Sequence, residues 1–205
     1  MPKTLLITYL PSGARSNTRK LLEAFRAKTA SAPTETLDLL ANPAPAFTEA
    51  SMAAYVKRNY MKQPLGDAET RLLAPHDALV KQLKAADITV MAYPMHNFGM
   101  PGPVKTYLDA VMLAGETFQM GQKLMAGKKS LTLYTAGGQY PQHQVTVDYP
   151  NWDTLTLNAK INFNFMGFDE CEVIGASLRD PSTESERFRQ ADQKLQDLVG
   201  RWYGP

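Results

Sequence analysis

The chain holds a single cysteine, Cys171, in 205 residues. An intrachain disulfide is therefore excluded, and a reducing cytoplasm is the expected setting. Its strand-like surroundings carry no obvious base, which predicts a buried structural thiol. Long apolar runs are lacking too, and none approaches the roughly 20 residues a membrane helix needs. Residues 1–10 lack the basic start, apolar stretch and cleavage site of a secretory signal. Neither charge sign is in excess: 22 Lys and Arg face 20 Asp and Glu, for a net +2, and the pI is near 8.6. With no basic run and no Arg/aromatic interleaving, nucleic acid is not an expected partner. The three histidines, His76, His96 and His143, lack metal-ligand spacing with carboxylates, so no metal is expected. Walker A and Gly-x-Gly-x-x-Gly patterns are missing, which weakens nucleotide hydrolysis and classical dinucleotide binding. Ser12 lies in no nucleophile elbow, which weakens hydrolase chemistry.

What is present is an alternation of strand and helix signals. Hydrophobic residues make up 44 %, enough for a buried sheet covered on both sides. Strands are predicted at residues 3–9, 34–39, 88–92, 130–135 and 169–176. Helices are predicted at 18–28, with Ser16 or Asn17 as cap, and at 67–85, capped by Asp67. In the second of these Leu72, Leu73, Leu79, Val80 and Leu83 face inward, and Pro75 is a potential kink. Further helices are read at 104–113, 152–166 and 182–199. Residues 46–66, with Met52, Tyr55, Val56, Tyr60 and Met61, form an insertion holding a short amphipathic helix, placed near the active site or a subunit interface. The alternation predicts one α/β domain over 1–205: a doubly wound, five-stranded parallel sheet with helices on both faces. Five strands in this length favour the flavodoxin-like order 2-1-3-4-5, with the loops after strands one, three and four at the switch point.

Those three loops carry the chemical signal. The first, Pro11-Ser12-Gly13-Ala14-Arg15-Ser16-Asn17-Thr18, opens a helix, where hydroxyls, an amide and backbone N–H groups suit a phosphate and Arg15 adds charge. The same residue types serve plain helix capping. The second, Tyr93 to Pro103, is stiffened by Pro94, Pro101 and Pro103; Met95 and Phe98 offer apolar walls, and His96 a pH-sensitive donor. The third, Thr135-Ala136-Gly137-Gly138, allows close backbone approach at its glycines, with Tyr140 and His143 following.

Together, Ser12-x-x-Arg15-Ser16-Asn17-Thr18, Pro94-Met95-His96-Asn97-Phe98 and Thr135-Ala136-Gly137-Gly138 resemble the FMN-dependent NADH-azoreductase and NAD(P)H:quinone oxidoreductase family over nearly the whole chain. The Pro-Met-x-Asn-Phe segment is the most specific piece. The resemblance implies a homodimer with tight, non-covalent FMN at the interface and NADH or NADPH as donor. It implies that Ser16, Asn17 and Thr18 hold the phosphate, with Ser12 or Arg15 nearby. Pro94, Met95, His96, Asn97 and Phe98 would border the isoalloxazine, and Thr135, Ala136, Gly137 and Gly138 its pyrimidine edge. His96 and Tyr140 are the catalytic candidates, to orient the acceptor or give a proton. A ping-pong transfer to quinones, azo or nitro compounds is implied. The chain departs from the family at His96, where Tyr is usual, at Arg15, where Gln or Ser is usual, and after Gly138. Two other readings share the fold: an electron-transfer flavodoxin, disfavoured by the slight basic charge, and a non-catalytic flavin-binding module.

Overall fold

A computed structural model describes residues 1–138, 153–178 and 180–204. The strands are β1 (Thr4–Thr8), β2 (Thr34–Asp38), β3 (Ile88–Ala92), β4 (Lys129–Ala136) and β5 (Glu170–Ser177). All pair in parallel, in the order β2-β1-β3-β4-β5. The helices are α1 (Asn17–Lys28), α2 (Glu49–Tyr55), α3 (Asp67–Ala85), α4 (Gly102–Val111), α5 (Thr154–Met166) and α6 (Glu184–Tyr203). The fold is flavodoxin-like, as the strand count and alternation predicted.

Both faces of the sheet are covered because successive strand residues point to opposite sides. On β1, Leu5 and Ile7 join one core with Leu73, Val80 and Leu83 of α3, Tyr107 and Val111 of α4, and Phe163 of α5. Leu6 points the other way, to Leu21, Leu22 and Phe25 of α1 and Leu195, Leu198 and Trp202 of α6. Each fully buried Leu, Ile or Phe contributes about 1.5–3 kcal/mol. These two cores fix the sheet between its helices.

Three local expectations change. Gly66, not Asp67, caps α3: its amide donates to Glu69 Oε2 at 2.7 Å, a bond from backbone to side chain that does not depend on what residue 66 is. Leu72 is 40 % exposed, because it falls off the stripe defined by Leu73, Val80 and Leu83. Cys171 is half-buried, not buried; burial still pushes its thiol up, partly offset by a bond with Ser130. Helix α3 runs through Pro75, which can form no N–H bond to the turn before it.

The 46–66 segment folds as α2 followed by a π-helical turn over Val56–Tyr60. A reciprocal Thr48–Ser51 capping box starts α2. The segment is tied to α3 by Lys57 on Glu69 and by the Arg58 fork on Asp77, at 2.7 and 2.9 Å. Asn59, 7 % exposed, donates to the Ala114 carbonyl at 2.7 Å, and the Ala114 amide donates to the Tyr55 hydroxyl at 2.9 Å.

Candidate flavin site

Strands β1, β3 and β4 end side by side, so the loops that follow them share one edge of the sheet. Backbone bonds lace them together. The Tyr9 amide donates to the Ala92 carbonyl at 3.0 Å, Tyr93 to Leu133 at 3.1 Å and Met95 to Thr135 at 2.9 Å. This is the switch point at which open parallel sheets bind ligands.

The first loop turns at Gly13, whose φ of +55° is left-handed, and passes through a 3-10 turn over Gly13–Arg15 into α1. Ser16 is the N-cap by position, yet its side chain makes no capping bond. It is 8 % exposed, and among the described residues its hydroxyl has no partner. The first turn of α1 contains no acidic residue, so the positive helix end faces the loop uncompensated. Ser12 and Arg15 are exposed and Asn17 half-buried. Thr18 is fully buried, and its Oγ1 lies 2.7 Å from Thr135 Oγ1. Its hydroxyl is thus engaged inside the fold, and what it can offer an anion is its backbone N–H.

The second loop is a tight turn. His96 and Gly99 exchange amide-to-carbonyl bonds of 3.0 Å in each direction. Asn97 and Phe98, between them, have φ of +45° and +70°, the two-residue signature of a type I′ turn. Asn tolerates that region; for Phe it costs about 1–2 kcal/mol. The Phe98 carbonyl accepts from the Thr154 amide at 3.1 Å and hydroxyl at 2.7 Å, which docks the turn on the start of α5. Phe98 is nonetheless 45 % exposed. Pro94 and Met95 are half-buried, and the exposed His96 ring meets Tyr9 edge-on at 6.1 Å. Tyr93 is buried, and burial pushes its phenol far above the ordinary range despite a bond with Thr132. It stays neutral and serves as packing.

The third loop leaves β4 through the buried Ala136, whose carbonyl accepts from the Leu178 amide at 2.8 Å. A Cβ built on Gly137 would meet nothing within 4 Å, so no packing among the described residues calls for glycine there. The Gly138 carbonyl is fixed by the Ser177 hydroxyl at 2.7 Å. Tyr140 and His143 lie outside the described residues, as does the start of the helix predicted from Trp152. Tyr9, Thr154 and Ser177 support the loops from elsewhere in the chain and follow no motif spacing.

A family model described as a flavodoxin-like fold matches residues 2–199, which is the class that the sheet order and switch-point loops define. An FMN-dependent NADH:quinone oxidoreductase of Hydrogenovibrio crunogenus is 32 % identical over 171 residues, covering 80 % of this chain and 81 % of that protein. Another of the same description, from Psychromonas ingrahamii, is 31 % identical over 196 residues, covering 89 % and 87 %. The chain belongs to the flavodoxin-like family, within its FMN-dependent NADH:quinone oxidoreductases, and is an enzyme. The fold also matches the crystal structure of an FMN-dependent NADH-azoreductase from Bacillus anthracis in complex with FMN. The TM-score is 0.83 at 24 % identity, covering 99 % of this chain and all of that one.

Proposed function

We propose that this enzyme carries hydride equivalents from NADH or NADPH, through tightly but non-covalently bound FMN, to quinones, azo or nitro compounds in alternating half-reactions. The single observation that carries the reading is the meeting of the loops after β1, β3 and β4 at the switch point of the sheet, laced together by backbone bonds. Ser16 is a buried residue whose hydroxyl has no capping role and no partner among the described residues, Gly137 has room for a side chain beside it, and Phe98 takes a positive φ while half exposed. A phosphate at the helix end, a flat ring edge beside Gly137 and an apolar ring face against Phe98 explain all three. The residues fit FMN.

The redox chemistry is the cofactor's; the chain binds, orients and tunes. Ser16 and the first-turn amides Asn17 and Thr18 hold the phosphate, with Ser12 and Arg15 beside them. Pro94, Met95, Asn97 and Phe98 border the ring. Backbone amides at Gly137 and Gly138 stabilise negative charge on the pyrimidine edge. His96 orients the acceptor or supplies its proton, and Tyr140 is the second candidate for that work.

The working unit is a homodimer in the cytoplasm, built from one domain over 1–205 with 46–66 beside the interface. Support comes from α5, where Leu157, Ile161 and Phe165 recur every four residues at 57 %, 52 % and 45 % exposure. That apolar stripe belongs to the helix that docks the Phe98 turn. Among the described residues no helix is long and apolar enough to cross a membrane.

The test has three parts: release and identify the chromophore, follow NADH and NADPH oxidation with menadione and an azo dye, and compare flavin retention in variants. Gly137→Leu should lose flavin while the apo-protein's melting temperature stays put, since the added carbons start in open space. Cys171→Ser should retain flavin. A protein that takes up no flavin on reconstitution refutes the reading, and one that turns over only by single electrons supports a carrier instead.

A further inference from the structure

Arg19 is tied to the first loop in a way that capping does not require. Its backbone amide donates to the Ser16 carbonyl at 3.2 Å, and its side-chain Nε donates to the Gly13 carbonyl at 3.1 Å. The Gly13 carbonyl also accepts the Ser16 amide at 3.2 Å. One residue thus grips both ends of the Gly13–Ser16 turn and draws a carbonyl oxygen toward the helix. A carbonyl turned the other way would present negative charge to an incoming anion. The Nε contact also leaves the two terminal guanidinium nitrogens next to the loop, and they have no partner among the described residues. Neighbouring Lys20, by contrast, is neutralised by Glu184 at 3.0 Å.

We propose that Arg19 is the positioning residue of the phosphate loop. Its Nε fixes the Gly13 carbonyl away from the bound phosphate, and its charge raises the loop's affinity for a phosphomonoester over an uncharged flavin. This rests on the FMN reading above and assigns the source of the site's phosphate selectivity. The mechanism separates two parts: a geometric lash that needs the planar Nε–H, and a charge that a lysine can supply.

The experiment titrates apo-protein with FMN and with riboflavin, which lacks the phosphate, following quenching of flavin fluorescence. Wild type should bind FMN more tightly than riboflavin. Arg19→Ala should weaken FMN on the order of tenfold and leave riboflavin within about twofold. Arg19→Lys should fall between, keeping the salt dependence of FMN binding that Arg19→Ala loses. Equal weakening of both flavins would show a general loop defect and overturn the proposal, as would an Arg19→Ala protein that binds FMN like wild type. Wild type that binds neither flavin would overturn the FMN reading itself, a result distinct from both. Circular dichroism and thermal unfolding of each variant confirm that the fold is intact where affinity changes.

Discussion

Replacing Thr18 by Val removes one hydroxyl from a buried pair and leaves the shape almost unchanged. Thr18 Oγ1 and Thr135 Oγ1 are 2.7 Å apart, with the two residues 0 % and 5 % exposed. Neither hydroxyl has another described side-chain partner, so losing one leaves the other buried and unsatisfied. That penalty is about 1–3 kcal/mol, whereas removing both members of such a pair is nearly neutral. Thr18→Val and Thr135→Val should each cost about 2 kcal/mol in urea unfolding of the apo-protein, read as a lower midpoint at unchanged slope. The double variant should cost no more than about 1 kcal/mol, giving a coupling energy of about 3 kcal/mol in magnitude in the double-mutant cycle. On the proposed FMN reading, affinity should scarcely respond to Thr18→Val, because the hydroxyl is engaged with Thr135 and only the backbone amide is left to offer a phosphate. A double variant that costs the sum of the singles would refute the paired-hydroxyl account. A Thr18→Val protein that loses FMN while keeping its stability would place the hydroxyl on the ligand.

Two other outcomes follow from the geometry. Gly167 ends α5 at φ +95°, and a Cβ there would lie 2.5 Å from Lys123 Cα, so Gly167→Ala should lose more than about 2 kcal/mol; Gly127→Ala, at φ +81° but in open space, should lose only about 1 kcal/mol by the same denaturant assay. His76 is 1 % exposed and stacked on Phe47 at 4.3 Å, and burial lowers its pKa from 6.5. The unfolded chain then binds the proton more readily, so stability is full above about pH 6.5 and falls as pH drops below it, by at most about 1.4 kcal/mol per unit; His76→Phe should flatten that part of the stability–pH profile, and an unchanged slope would remove His76 as its cause.

Much of the fold was legible because parallel strands buried on both faces leave continuous apolar runs. Ile88–Ala92 is the clearest such run, and its bounds match β3. Glycine, proline and hydroxyl-rich breaks then marked the loops. Helix faces were harder to read. Leu72 and Leu73 are equally apolar, and only the phase set by Val80 and Leu83 decides which one is buried. The π-helical turn at Val56–Tyr60 was hidden because its bonds to α3 and Ala114 depend on tertiary position. In the site, residue types identified Ser16, Asn97 and Gly137 as candidates, but not the direction in which each side chain turns. Thr18 reads like Ser16 in the sequence and points inward because Thr135 is there to meet it. Arg19 carries no motif signal, since its contact with Gly13 forms only when the loop folds back on α1.

The turn at Asn97 and Phe98 limits how this enzyme can change. Positive φ at adjacent non-glycine positions narrows the acceptable replacements, and the double tie of the Phe98 carbonyl to Thr154 resists any shift of the backbone. Substitution within this loop is channelled to the neighbours whose backbone is ordinary and whose side chains face outward. His96 meets both conditions, so its side chain can be exchanged at less cost to folding than either residue of the turn beside it.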